Sequence, residues 1–416
     1  MKKTILGLML VCMIVVLSGC GVMTGRTLDS LFTAGNTGTA ASAEENSDYV
    51  TISRAEYEEL SRFRDVATLY NAVTQLYYKD TDSEKLIDYS AKGLMAGLGD
   101  LYSYYYTPEE FAKMWEEEEG SYAGIGVLIS TNYRTHICTI SRVFKGSPAE
   151  AAGVQRRDII YRVGDMYVSS DNIEEAVKIM RGTPGTDVDV TFLRDEEEIT
   201  ITLTRADINV NQIESKMLDA ETGLIALYGF SGRCELEFEN ALNGLLAQGA
   251  RGIIIDLRDN GGGWVDQARY IGDLFMDEGE LCYMVMKNGE EEHAYPTRDG
   301  KADVKLVMLV NENSASSSEI LTCALRDCAD ATVVGTKTFG KGVVQSLMAI
   351  GSRGAGFQVT IAEYYSPSGY QVNEKGIEPD VVVELAEDDN GMYDFGDTEK
   401  DPQLKAAWET LKEKMK

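Results

Sequence analysis

Residues 311–345, NENSASSSEILTCALRDCADATVVGTKTFGKGVVQ, constrain this chain more tightly than any other stretch. Lys305 to Val310 is an apolar run of strand length that feeds straight into four serines, Ser314, Ser316, Ser317 and Ser318. The residues after this cluster read as a helix. TFGKG then sets Lys341 between Gly340 and Gly342. A serine hydroxyl is a weak nucleophile until a nearby base takes its proton. Histidine usually does so, but the chain has only His136 and His293, and neither lies in a motif. The available base is lysine, which points to a serine–lysine hydrolase that uses Lys341 and one serine of the cluster.

A lysine base must be neutral, and an unperturbed lysine titrates at about 10.4. Burial disfavours the charged form. Phe339, Val343 and Val344 are expected to supply the apolar surroundings. Gly335 to Lys341 also spells GxxxxGK, the start of a phosphate-binding loop. That motif needs Ser or Thr next and then a helix. Here Gly342 follows, and Val343 to Leu347 reads as strand, so a nucleotide site is rejected.

From residue 207 the pattern alternates strand and helix, as an α/β core does. Gly223 to Gly229 reads as strand and Glu235 to Gln248 as helix. Gly252 to Leu257 reads as a buried strand. It leads through Arg258-Asp259-Asn260-Gly261-Gly262-Gly263 into a helix from about Trp264 to Met276. The chain thus has two strand-to-helix junctions of interest, after Asp256 and after Val310. Amides at such junctions point outward and attract negative charge.

The N-terminus reads as an export signal. Lys2 and Lys3 precede a short apolar run, Ile5 to Leu17, and Leu17-Ser18-Gly19-Cys20 matches a bacterial lipoprotein cleavage box. Cleavage there leaves Cys20 as a lipidated N-terminus and places the body outside the cytoplasm, at the extracytoplasmic face of the cell membrane. Losing residues 1–19 removes two lysines and no acid, which moves the net charge from −29 to −31. So acidic a body is repelled by phosphate backbones and anionic headgroups, which disfavours nucleic acid and leaves the lipid as the membrane contact. Residues 20–48 read as a flexible tether. Ser53-x-x-Glu56 is a capping box that starts a helix, and Leu60, Phe63, Ala67, Tyr70 and Val73 form one apolar face along it. That face packs either on the body or on a second copy in a homodimer. Beyond Cys12 and Cys20, the five cysteines Cys138, Cys234, Cys282, Cys323 and Cys328 are expected to be small buried side chains. No HExxH or CxxC spacing occurs, so neither a metal nor a cofactor is expected.

Residues 120–206 resemble a PDZ domain. Tyr122 to Ile129 sets Gly124, Ile125, Gly126 and Val127 where backbone N–H groups can hold a peptide's terminal carboxylate. Gly146-Ser147-Pro148-Ala149, Ala152-Gly153-Val154 and Asp158-Ile159-Ile160 follow in order. Ser170 to Met180 reads as an amphipathic helix that walls the peptide groove. Arg157 stands where glycine is common.

The serine and lysine segments resemble the C-terminal processing (tail-specific) serine proteases. Ser314-Ala315-Ser316, Ser318-Glu319-Ile320, Thr338 to Gly342, and Gln345 carry the resemblance. It implies Ser316 as nucleophile, Lys341 as base and Gln345 as the residue that orients the lysine. It implies the backbone N–H groups of Gly262 and Ser317 as oxyanion donors, and substrates that are proteins with exposed C-terminal tails. Two departures stand out: Ser317 replaces an alanine, and Gly261 replaces a proline. The implied fold is a multidomain α+β chain. A crotonase-like α/β protease core (207–385) carries an inserted PDZ domain (120–206) and an N-terminal helical region (49–119). An acidic linker and C-terminal helix (386–416) complete it.

Overall fold

A computed structural model describes residues 51–296, 301–384 and 395–416. The signal segment, Cys20 and the tether lie outside the described residues. No helix among those described is long and apolar enough to cross a membrane. The chain divides into two compact units. One comprises Lys113–Val344 with Ile361–Lys416, and the other the residues up to Ala112 with Gln345–Thr360.

The first unit is built on a six-stranded sheet. Its order is Ile213–Met217, Thr222–Leu227, Gly252–Asp256, Lys305–Val310, Thr332–Gly335 and Val381–Val382. The first pair is antiparallel and every later pair is parallel. Alternate side chains along these strands face opposite layers. Ile253, Ile255, Leu306, Met308 and Val310 pack with residues of the helices Cys234–Ala247, Val265–Asp273 and Ser317–Cys328. Ile254, Val307 and Leu309 pack under Leu404, Ala407 and Leu411 of the helix Pro402–Lys414. With both faces covered, the strands are apolar throughout rather than alternating, which is why Gly252–Asp256 and Lys305–Val310 were legible as buried runs.

The PDZ fold lies in the same unit. Its strand order is Val127–Asn132, Ile137–Val143, Ile159–Val163, Asp187–Arg194 and Glu197–Thr204, with Met166–Tyr167 paired to the third. Ser121–Gly124 and Ala206–Asn209, entering and leaving it, pair with each other. The helix Ile173–Met180 buries Ala176 and Met180 against Ile140, Ile160 and Phe192. This helix begins three residues later than Ser170, since Ser169 to Asn172 form a hydrogen-bonded turn.

In the second unit the expected capping box is formed. Ser53 N–H donates to Glu56 and Glu56 N–H to the Ser53 hydroxyl. The single helix expected from there to Val73 is instead two, Arg54–Ser61 and Arg64–Leu76. At Arg62 and Phe63 the amides turn back to Glu59 and Leu60, a tighter three-residue step that interrupts the α-helix. Tyr104–Tyr106 pairs with the start of the strand Ala355–Tyr365, and Tyr105 and Arg353 both bond the buried Asp88.

Four of the five cysteines are buried and free. Cys328 is partly exposed, which corrects the expectation for that residue. Burial pushes the Cys282 thiol up to about 12. Arg157 adopts φ +75°, a left-handed conformation that favours glycine. Its side chain is exposed. Replacing Arg157 with Gly is expected to stabilise the fold by about 0.5–1 kcal/mol. A thermal unfolding midpoint at or below wild type would show that the arginine makes contacts that outweigh this strain.

Candidate active site

The strand Lys305–Val310 ends at a bend, and Ser316 is the residue on which the bend turns. It immediately precedes the helix Ser317–Cys328, with φ 55° and ψ −116°. A non-glycine residue held there stores about 1–3 kcal/mol of strain, and such strain clusters where a side chain must be presented. The surroundings enforce it. Ala315 N–H donates to the Asn260 carbonyl, and Ser318 N–H turns back to the Ala315 carbonyl.

The other three serines are structural. Ser314 donates to the Leu257 carbonyl at 2.7 Å, Ser318 to that of Asn260 at 2.8 Å, and Ser317 to that of Gly263 at 2.7 Å. All three are buried. They stitch the serine segment to the glycine loop 257–263. The Asn311 and Asn313 amides add bonds to the Asp259 carboxylate at 2.9 and 2.8 Å. Ser317 is therefore more than a small substitute for alanine, because its hydroxyl is one of the stitches.

The two segments touch. A Cβ on Gly262 would lie 2.9 Å from Ser316 Cβ and 3.0 Å from Ser317 N, and φ here is +103°, so only glycine fits. The Gly262 N–H donates to Asn260 Oδ1 at 2.9 Å, while Asn260 Nδ2 donates to the Leu227 carbonyl. Of the two expected oxyanion donors, Gly262 is thus engaged by a neighbouring side chain, and Ser317 sits directly against it.

Lys341 arrives on a second connection. Thr338 to Gly342 leads into the strand Val343–Ile350, not a helix. The glycine after Lys341 is required, since a Cβ on Gly342 would sit 2.2 Å from Asn373 N. Lys341 is only 3% exposed. Phe339 does not bury it: that ring is 57% exposed, whereas Val344 is buried. The Phe339 backbone is fixed by a bond to the Ser314 carbonyl, which commits its position without covering its ring.

Glu319 joins the two connections, and the sequence reading gave it no role. Its carboxylate accepts from Ser316 N–H and Lys341 N–H on Oε2, both at 2.9 Å. Oε1 accepts from the Thr338 hydroxyl at 2.6 Å and Gly340 N–H at 2.7 Å. One carboxylate oxygen therefore bridges the amides of the candidate nucleophile and the candidate base. Burial raises the Glu319 pKa, and the four donors oppose that rise without cancelling it. The signal was available, because Ser316-x-x-Glu319 has capping-box spacing.

Gln345 belongs to the other compact unit. It is buried, its side-chain Nε2 donates to Thr360 Oγ1 at 3.2 Å, and its side-chain Oε1 has no hydrogen-bond partner among the described residues. In the PDZ fold, Ile125 and Gly126 link the strands Ser121–Gly124 and Val127–Asn132. Their carbonyls accept from Ala149 and Phe144. Among the described residues, Val127–Asn132 pairs only with Ile137–Val143, which leaves it an edge strand beside this loop. Among the described residues, no group of three or more His, Cys, Asp or Glu side chains could hold a metal ion.

Replacing Glu319 with Gln sets an amide against backbone donors and is expected to cost about 2–4 kcal/mol in chemical unfolding. Because burial raises this pKa above 4.5, the group's contribution to stability is full below that value and is lost as pH rises through the folded-state pKa. The wild-type advantage over Glu319→Gln should therefore narrow as pH rises from 4.5. An advantage that widens would mean that the four donors outweigh burial.

Residues 221–383 match the model of peptidase family S41, and residues 139–194 match a PDZ domain. The chain is 34% identical over 361 residues to the carboxy-terminal processing protease CtpA of Bacillus subtilis (strain 168), covering 85% of this chain and 76% of that one. A probable CtpA-like serine protease of Staphylococcus epidermidis is 32% identical over 353 residues, covering 82% and 71%. The fold is similar to that of the photosystem II D1 C-terminal processing protease, with a TM-score of 0.51 at 24% identity over 80% of this chain and 94% of that one. With the serine bend, the glycine loop and the PDZ fold all in place, this chain belongs to peptidase family S41 as a PDZ-containing C-terminal processing serine protease.

Proposed function

We propose that this protease cleaves protein substrates by a Ser316–Lys341 mechanism, after its PDZ domain has captured an exposed C-terminal tail. The observation that carries this reading is the division of labour among the serines. Three hydroxyls hold the two loops together, and the fourth serine sits on the strained bend, tied through Glu319 to Lys341. Lys341 Nζ takes the proton from Ser316 Oγ as that oxygen bonds to the scissile carbonyl carbon. The proton passes to the departing amine, and water then releases the acyl-enzyme with Lys341 again as base. The burial of Lys341 supports this, since a lysine with no role in the centre would ordinarily stand in solvent. Gln345 is assigned as the uncharged group that orients the amine.

The developing oxyanion is assigned to the N–H groups of Gly262 and Ser317. For Gly262 this requires exchanging its bond to Asn260 Oδ1 for one to substrate. Gly261 in place of proline gives the loop freedom for that exchange. In the PDZ domain a tail adds to the edge strand Val127–Asn132, with its carboxylate at Gly124, Ile125, Gly126 and Val127. Cys20 carries the lipid that holds the enzyme at the extracytoplasmic face of the membrane.

The test uses residues 49–416 and an unstructured protein ending in apolar residues, with products read by mass spectrometry. Wild type should cleave it, while Ser316→Ala and Lys341→Ala should each lose on the order of 10⁴-fold or more in kcat. Equal cleavage by all three would remove these residues from the chemistry. Ser316→Gly should be as inactive as Ser316→Ala but more stable by about 1 kcal/mol, because glycine relaxes the bend. Deleting 120–206 should abolish any preference for tail sequence, and an unchanged preference would rule out tail capture by the PDZ domain. In cells, Cys20→Ser should move the enzyme from the membrane fraction to the soluble fraction.

A further inference from the structure

The glycine loop is held from a second side, by the C-terminal helix. Arg258 stands at the start of this loop, and all five of its guanidinium donors are engaged. Nε donates to Asp256 Oδ1 at 3.0 Å, and Nη2 donates to Asp256 Oδ2 and Asp401 Oδ2, both at 2.7 Å. Nη1 donates to Asp401 Oδ1 at 3.1 Å and Gln403 Oε1 at 3.2 Å. Asp401 and Gln403 are 1% and 0% exposed. Each is also fixed from behind. Asp401 Oδ1 caps the helix Pro402–Lys414 by accepting from Leu404 N–H, and Gln403 Nε2 donates to the Val383 carbonyl. The apolar residues Leu404, Ala407 and Leu411 dock the helix on the sheet. A buried, bidentate pair at the loop is an addition to that docking, and its geometry is directional.

We propose that Asp401 and Gln403 are positioning residues for proteolysis: through Arg258 they fix the loop that sets Gly262 against Ser316. The C-terminal segment is then part of the catalytic apparatus without touching substrate. This rests on the assignment of Gly262 as an oxyanion donor. The physical reason is that a donor must be held in place before charge develops, and an error on the order of 1 Å from a distant change can cost about a hundredfold.

The test compares Asp401→Asn with Leu411→Ala in the otherwise unchanged enzyme. Asp401→Asn keeps the cap oxygen but turns an amide toward the guanidinium. Leu411→Ala weakens the same helix without touching Arg258. Two readouts are taken: kcat and KM at 25 °C, and amide hydrogen exchange of residues 257–263. Asp401→Asn should lower kcat at least about tenfold with KM within about twofold, and should speed exchange in that loop. Leu411→Ala should lower the unfolding temperature while leaving kcat within about twofold. If Asp401→Asn does not fold, Gln403→Leu removes one bond of the clamp and should shift both readouts in the same direction. Loss of kcat that merely follows loss of stability in both variants overturns the proposal. So does unchanged exchange at 257–263. A wild type that cleaves nothing refutes the Ser316–Lys341 reading instead, and the exchange measurement still decides the clamp.

Discussion

A single buried carboxylate organises the centre of this protein. Glu319 receives the backbone amides of Ser316 and Lys341 on one oxygen, and the Thr338 hydroxyl and Gly340 amide on the other. Two connections that leave different strands are thereby registered to each other through one group. Ionising a carboxyl away from water is unfavourable, and the four donors are what make the position tolerable.

Around that centre the rest of the fold serves to bring backbone close to backbone. The central sheet ends two of its parallel strands side by side, Gly252–Asp256 and Lys305–Val310. Their exits must then share a small volume, which glycine at 262 makes sterically feasible and serine hydroxyls at 314, 317 and 318 make directional. Carbonyls at strand-to-helix exits have lost their ladder partners, and the hydroxyls satisfy them. The same logic explains why TFGKG needs its second glycine, because the segment at Asn373 presses against Gly342.

Much of this was legible in the sequence. The apolar runs at 252–257 and 305–310 read as strands because both faces of the sheet are covered. The PDZ order read correctly from its turn residues, and the serine cluster and TFGKG marked the site by local spacing. Other features were not legible, for physical reasons. Phe339 looked like a wall for Lys341 because it is apolar and two positions away, yet it lies in an irregular turn where spacing along the chain does not set direction, and its ring is exposed. The break at Arg62–Phe63 carries no glycine or proline to announce it. Among four serines within five positions, composition could not separate the strained one from the three that donate to carbonyls. That distinction depends on which carbonyls lie opposite, on a loop more than fifty residues away.

What the sequence determined by itself is local: strand and helix periods, caps, turn glycines, and the residue types that acyl-transfer chemistry requires. These follow from backbone sterics and side-chain period, which act over a few neighbours. What only the tertiary structure decided is convergence. Glu319 bridging Ser316 to Lys341, and Asp401 reaching Arg258 across 143 positions, are contacts between segments that no local rule connects. They exist because the parallel sheet sets the ends of its strands in one place, and buried polar groups arriving there had to find partners in one another.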